Sequence, residues 1–190
     1  MLIMPNNQEQ RRKTGLMDQT QIISLKDFVL SGKFGKISIG MDKNRVIEYL
    51  GPPLEVKDFK NERFGLYYNG VRFLYTASNR IYAITCQNFD DVFSEKPKDR
   101  IFPISHTVQV DSYFFTISEK TNYRTVKDRL NAENIKFREQ QDKFWDKIIF
   151  DSGVEFLFNN WCEYPEDDTY DKNELELCGF RNFPIHSKNN

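Results

Sequence analysis

The fold is indicated most clearly by two aromatic-rich runs that meet at an Asn-Gly pair, Phe64-Gly65-Leu66-Tyr67-Tyr68-Asn69-Gly70-Val71-Arg72-Phe73-Leu74-Tyr75. An Asn-Gly pair between such runs is the strongest short signal for a β-hairpin. We predict strands at residues 63–68 and 71–75, flanked by a charged edge strand at 54–59 and a fourth strand at 80–87. Together these runs predict an antiparallel meander.

Two short helices are predicted before the meander. Ser24 and Asp42 are suited to be N-caps, because their side-chain oxygens can accept hydrogen bonds from the first free N–H groups of a helix. The first helix covers residues 25–30, and the second runs to Leu50, where Gly51-Pro52-Pro53 stops it.

The second half of the chain repeats this order. In the first half Ile37-Ser38-Ile39-Gly40 leads into the helix at 42–50; in the second, Phe115-Thr116-Ile117 leads into a helix at 122–130, and a hairpin-like stretch follows each. The two halves align with small insertions. We therefore predict an α+β fold of two tandem units, each a helical segment packed on a small antiparallel sheet. The two sheets would lie side by side and leave a broad face free.

The predicted domain organisation has five parts. They are a flexible N-terminal arm at 1–22, a first αβ repeat at 23–89, a linker at 90–106, a second αβ repeat at 107–183 and a tail at 184–190. The second repeat should hold an extended segment at 107–117 and, after its helix, strands at 135–139, 144–151, 154–161 and 174–180.

Composition limits the possible partners. The chain has 190 residues and a net charge of −1, so no global field attracts nucleic acid or an anionic membrane. No apolar run approaches the ~18 residues of a membrane span, and the N-terminus lacks the apolar stretch of a signal peptide.

Cys86, Cys162 and Cys178 have no metal-ligand spacing; we expect buried reduced thiols in a cytoplasmic protein, with a Cys162–Cys178 bridge as the alternative.

No catalytic motif is visible, and we predict no catalytic residue, metal ligand or cofactor. The two histidines, His106 and His186, belong to no recognisable cluster. The acid pairs Asp90-Asp91 and Asp167-Asp168 leave open a metal-dependent hydrolase or nuclease that uses paired carboxylates.

Two groups of residues are candidates for contacts with a partner protein. Tyr68, Arg72 and Tyr82 could form an aromatic-plus-arginine patch on the meander, of the kind found at binding hot spots, although ordinary cross-strand pairing is the alternative. Residues 163–176 carry seven acids against one lysine. Acids beside aromatic anchors suit docking onto a basic surface, whereas the alternative is a solvated loop. The contacts predicted in and beside this loop are Trp161, Tyr164, Glu166, Asp167 and Asp168.

A family resemblance rests on residues 35–53. The stretch reads Gly35-Lys36-Ile37-Ser38-Ile39-Gly40-Met41-Asp42-Lys43-Asn44-Arg45-Val46-Ile47-Glu48-Tyr49-Leu50-Gly51-Pro52-Pro53. It resembles the opening of the β-lactamase-inhibitor-protein-like and SmpA/OmlA-like small domains, which pair a helical hairpin with a small antiparallel sheet. It is also similar to uncharacterised bacterial immunity proteins, which neutralise a toxin.

The resemblance implies a non-catalytic protein that binds and inhibits another protein through a sheet surface. Three differences from these families limit the function that the resemblance implies. We find no export signal or disulfide pattern and no cysteine near the start that could be lipidated. The second repeat also lacks the Gly-Met and Leu-Gly-Pro elements. We expect a cytoplasmic immunity protein, monomeric or homodimeric, that blocks a toxin with a basic cleft. The alternatives are the metal-dependent hydrolase and a regulatory scaffold domain that binds a peptide along a sheet edge.

Overall fold

The computed structural model describes residues 20–87, 101–111, 113, 121–142, 145–159 and 171–184. Three α-helices and two β-sheets lie in these ranges, so the fold is α+β as predicted. In chain order the elements are β1 (Gln21–Ile23), α1 (Leu25–Ser31), α2 (Lys43–Leu50), β2 (Glu55–Asp58), β3 (Arg63–Tyr67), β4 (Val71–Thr76), β5 (Ile81–Gln87), β6 (Ile101–Pro103), β7 (Val108–Asp111), α3 (Tyr123–Ala132), β8 (Phe137–Gln141), β9 (Asp146–Phe150), β10 (Val154–Asn159) and β11 (Glu176–Asn182).

The main sheet has eight strands in the order β2-β3-β4-β5-β11-β10-β9-β8, and every neighbouring pair is antiparallel. The meander β2–β5 and the set β8–β11 meet at a central seam, where Phe180 of β11 pairs with Cys86 of β5. The chain therefore builds one continuous sheet, whereas we expected two sheets side by side.

Local capping explains where the helices begin. The Ser24 hydroxyl accepts a hydrogen bond from the Asp27 N–H at 3.2 Å, and an Asp42 carboxylate oxygen accepts one from the Asn44 N–H at 2.8 Å. Asn122 and Thr125 form a capping box at the start of α3. The three predicted helices are thus confirmed, each within two residues of its expected end.

The core lies between the helices and one face of the main sheet. Phe28 of α1 packs edge-on against Phe180 of β11 at 5.1 Å between ring centroids, and Tyr123 of α3 packs against Phe158 of β10 at 4.9 Å. Because side chains alternate along a strand, the positions next to these point to the opposite face, which we call the outer face.

A small second sheet was not predicted. β7 lies between β1, which is parallel to it, and β6, which is antiparallel. The sequence predicts residues 21–22 as part of the flexible arm and residues 101–103 as part of the linker, because strands of three residues are too short to show periodicity. The predictions for residues 1–19 and 88–100, and for most of 112–120, lie outside the described residues, and the domain division stays a prediction.

Candidate functional site

A single row of paired residues crosses the outer face from one edge of the main sheet to the other. Each member pairs with the next across neighbouring strands. The row consists of Glu55, Tyr67, Arg72, Thr85, Arg181, Glu155, Ile149 and Arg138.

The outer face is not uniformly open. Leu157 of β10, Ile149 of β9 and Ala83 of β5 lie on it and are buried, whereas the positions on β2 and several on β3 and β4 are exposed or partly exposed. The runs 148–150 and 156–158 are apolar without alternation, a pattern typical of strands covered on both faces. In the described residues, the broad free face that we expected is therefore divided by buried positions into β2, β3 and β4 at one edge and the exposed Arg138 and Gln140 of β8 at the other.

The exposed part of the outer face carries an aromatic cluster with two cations, formed by Lys57, Phe59, Tyr67 and Arg72, which we call the Tyr67 patch. Lys57 Nζ lies 4.6 Å from the centroid of the Tyr67 ring, and Arg72 Cζ lies 5.5 Å from it. The Phe59 and Tyr67 ring centroids are 6.3 Å apart, and Phe59 is 44% exposed. Cations at these distances are attracted by the ring's quadrupole, which holds the Tyr67 ring in place.

Gly65 makes room for these rings. A Cβ atom at this position would lie 3.0 Å from Phe59 Cε2 and 3.0 Å from Tyr67 Cε2. These distances are shorter than normal carbon contacts, so any larger residue would push the rings away from the sheet. Gly65 therefore lets both rings lie directly on the backbone of β3.

A partly buried ion pair lies further along the same row. Arg181 approaches Glu155 Oε2 with Nε at 2.7 Å and with Nη2 at 2.6 Å. The guanidinium also lies 5.4 Å from the ring centroid of Phe183. The pair orients Arg181 beside the central seam, two strands from Arg72.

The predicted patch is corrected in one respect, because Tyr68 does not share a face with Arg72. Tyr68 is 4% exposed, packs edge-on against Phe73, and donates a hydrogen bond from its hydroxyl to the Gly51 carbonyl at 2.8 Å. Burial raises the pKa of Tyr68 to about 12. The reason is the hairpin register, in which Arg72 pairs with Tyr67, so that Tyr68 points into the core. The two-residue turn after Tyr68 was the signal that could have identified Tyr67.

The other predicted contacts are placed differently or not described. Arg72 belongs to the Tyr67 patch. Tyr82 is partly exposed and is the extra residue of a β-bulge, because Leu74 pairs with Ala83 and Tyr75 pairs with Ile81. Trp161, Tyr164, Glu166, Asp167 and Asp168 lie outside the described residues.

A second polar group, the Glu139 cluster, was missed by the sequence analysis. It lies beside α3 and consists of Tyr123, Lys127, Glu139, Asp146 and Lys172. Glu139 accepts a 2.6 Å hydrogen bond from the Tyr123 hydroxyl, and its carboxylate lies 2.7 Å from Lys127 Nζ and 3.3 Å from Lys172 Nζ. Lys172 Nζ is also 3.1 Å from Asp146 Oδ1. The only local signal was the spacing of Tyr123 and Lys127, which share a helix face.

Three members of the Glu139 cluster, Glu139, Tyr123 and Lys172, have pKa values that lie away from neutral pH. Hydrogen bonds from Lys127 and Tyr123 lower the pKa of Glu139 to about 2. Burial and the bond to Glu139 raise the pKa of Tyr123 above its usual value. Burial alone would lower the pKa of Lys172, but the contacts with Tyr123 and Asp146 raise it overall. Since Glu139 stays ionised while Tyr123 and Lys172 keep their protons, this arrangement is suited to joining β8, α3 and the turn at 172–174.

The described residues hold neither a metal site nor a membrane-spanning helix. Among the described residues, no group of three or more His, Cys, Asp or Glu is placed to hold a metal ion. None of the helices in these ranges has the length and apolar character needed to cross a membrane. Cys86 and Cys178 are buried, and the Cys178 thiol lies 3.3 Å from the Glu176 carbonyl oxygen. No protein-family model matches the chain, and neither a curated protein nor a solved structure matches it.

Proposed function

We propose that this chain is a non-catalytic protein-binding protein that neutralises a partner by occlusion, as an immunity protein neutralises a toxin. The observation that carries the proposal is the Tyr67 patch, in which Lys57 and Phe59 are exposed and Tyr67 and Arg72 are partly exposed. Tyrosine and arginine are enriched at binding hot spots, where a rigid aromatic side chain fills a pocket on the partner. Tyr67 is already held by contacts with two cations, so little side-chain entropy is lost on binding.

The charges of the patch define the surface that it would contact. Lys57 and Arg72 flank the rings, while Glu55 lies 3.2 Å from Lys57 Nζ. A complementary partner would present an apolar pocket for Phe59 and Tyr67, with acids placed to meet Arg72. The predicted acidic loop, with Glu166, Asp167 and Asp168, would meet a basic part of the same partner.

The proposed tandem organisation is supported by the strand order. Two sets of four consecutive strands run inward from the two edges and meet at the seam between β5 and β11. Such an order is what a duplicated unit would give, in line with the resemblance to inhibitor proteins that have two αβ units. The buried thiol of Cys86, which forms no disulfide, fits the proposed cytoplasmic location.

One alternative is favoured by a specific observation. Among the strands that the structure describes, β2 pairs with β3 alone, so its other edge is available to an added strand. A regulatory scaffold that binds a peptide by strand addition would use this edge. For the metal-dependent hydrolase, both acid pairs that suggested it lie outside the described residues.

The test begins with affinity capture from the native host and continues with the purified partner. Three baits are compared: the unchanged chain, the double variant Tyr67→Ala/Arg72→Ala, and Arg138→Ala, which changes the same row at the opposite edge. Calorimetry should show that binding by the patch variant is at least about tenfold weaker, a loss of ~1.4 kcal/mol or more. Arg138→Ala should bind like the unchanged chain.

If the chain acts by occlusion, the activity of the partner should fall in proportion to the amount of complex that has formed. Matched thermal melts establish that all three baits are folded. Equal affinity of the patch variant and the unchanged chain, or full activity of the partner in the saturated complex, would refute the proposal.

A further inference from the structure

The two edges of the main sheet differ in what they expose. Every side chain of β2 is exposed; Val56 is 56% exposed, and the neighbouring Leu54 is 78% exposed. At the other edge, the exposed residues of β8 are all polar or charged, namely Arg138, Glu139, Gln140 and Gln141. An exposed edge strand tends to pair with a strand of another chain, and apolar residues on the edge strand increase this tendency.

The hydrogen-bond pattern identifies which groups of β2 are free to pair. The Phe59 N–H donates to the Arg63 carbonyl at 2.9 Å, and β2 and β3 continue this antiparallel register. Because hydrogen-bonded and non-bonded pairs alternate along an antiparallel ladder, the backbone groups of Lys57 face β3. Those of Val56 face away from the sheet.

The charges of β2 are complementary to themselves. Glu55 and Lys57 lie on the outer face on either side of Val56 and form a 3.2 Å ion pair within the strand. If two β2 strands run antiparallel with the two Val56 residues opposite each other, each Glu55 faces Lys57 of the second copy. The two valines then form the central hydrogen-bonded pair. Backbone groups and charges thus favour the same register.

We propose that β2 is a homodimer interface, in which the β2 strands of two copies pair antiparallel about a two-fold axis at Val56. The two main sheets become one continuous sheet, and the axis stands perpendicular to it. Both Tyr67 patches then lie on the same face, close to the axis, since Tyr67 pairs with Glu55. The strand that pairs with this edge is β2 of a second copy, because one register pairs the backbone groups of the two Val56 residues and also places each Glu55 opposite a Lys57.

A charge swap tests this register directly. The single variants Glu55→Lys and Lys57→Glu each place like charges opposite each other twice, and each should weaken the dimer roughly tenfold. The double variant Glu55→Lys/Lys57→Glu restores opposite charges and should recover the dimer. Sedimentation equilibrium from low-micromolar to sub-millimolar protein measures the dissociation constants. Weakening by the single variants without recovery in the double variant would refute the register.

Val56→Pro tests the backbone contribution. Since the Val56 N–H faces away from β3, proline removes a donor that pairs with no strand in the described part of the chain. This variant should remain monomeric with an unchanged far-ultraviolet circular dichroism spectrum, while the matched variant Val56→Thr keeps the N–H and the dimer. A monomeric unchanged chain over the whole range, or a dimer that survives Val56→Pro, would overturn the proposal. Tyr67→Ala/Arg72→Ala should keep the dimer, so that this test and the test of partner binding give separate answers.

Discussion

The side-chain amide of Asn182 donates a 2.8 Å hydrogen bond to the carbonyl oxygen of Gly32, across 150 residues of chain. Asn182 is buried at the end of β11, and Gly32 ends α1 with a φ of 72°. The bond satisfies a carbonyl at a helix C-terminus, where no partner exists within the helix. It ties the last strand of the second half to the first helix of the first half.

Replacing Asn182 by Ala should lower the free energy of unfolding by about 1–3 kcal/mol, because the Gly32 carbonyl is left without this donor in a buried position. Urea denaturation followed by circular dichroism measures the change. Asn131→Ala, at an exposed position of α3, is the matched control and should stay within about 0.5 kcal/mol of the unchanged chain. Equal effects of the two variants would show that the bond contributes nothing.

Alanine substitutions at two phenylalanines should distinguish a residue that stabilises the fold from a residue that binds the partner. Phe34 is fully buried among Phe28, Phe73 and Phe180, and Phe34→Ala should cost about 3–5 kcal/mol of unfolding free energy. Phe59→Ala, at the exposed Tyr67 patch, should cost clearly less and should weaken partner binding instead. Chemical denaturation and calorimetry on both variants test this. A larger stability loss from Phe59→Ala than from Phe34→Ala would contradict the assignment of core and patch.

The Glu139 cluster should make stability depend on acid pH. Folding lowers the pKa of Glu139 from an ordinary value near 4.5 to about 2. The unfolded chain therefore binds more protons at this group in that interval, so the stabilising contribution is present above pH 4.5 and is lost as pH falls toward 2. Because Glu139 is more than a third exposed, solvent screening makes the effect modest.

Melting temperatures measured between neutral and acid pH should show this loss in the unchanged chain. Glu139→Gln should have a shallower decline below pH 4.5. Gln140→Ala, on the same strand, removes no titrating group and should follow the unchanged chain. Parallel curves for the unchanged chain and Glu139→Gln would exclude the inferred shift.

Cys86 should resist thiol reagents in the folded protein. Its side chain is fully buried on β5, and burial raises the pKa of its thiol to about 12. Since the thiolate is the reactive form, a maleimide at mildly alkaline pH should leave Cys86 unmodified until denaturant is added. Peptide mass spectrometry measures modification at each cysteine separately. Rapid native-state modification at Cys86 would place β5 at an accessible edge instead of at the centre of the sheet.

Local signals in the sequence were sufficient for the helices and for the hairpin. Ser24, Asp42 and Asn122 mark helix starts because capping depends only on residues within one turn. Asn69-Gly70 marks the turn between β3 and β4 because Gly70 adopts a φ of 73°, which glycine reaches without strain.

Features that depend on distant residues were not predictable. The parallel pairing of β1 with β7 joins Gln21 to Val108, and nothing local to either strand indicates it. The Glu139 cluster is assembled from four elements, namely α3, β8, β9 and the turn at 172–174. The face of Tyr68 was predicted wrongly although its signal was local, because a two-residue turn at Asn69-Gly70 pairs Tyr67 with Arg72, and adjacent residues of a strand point to opposite faces.

The position of β11 at the seam has a consequence for protein synthesis. β5 leaves the ribosome long before β11, so the nascent meander β2–β5 must wait with an unpaired inner edge while the chain from Gln87 to Glu176 is translated. During that interval the β5 edge is open to strands of neighbouring nascent chains on a polysome. Slow translation of the second half would therefore favour co-translational aggregation, and a chaperone that shields β5 would raise the yield of folded protein.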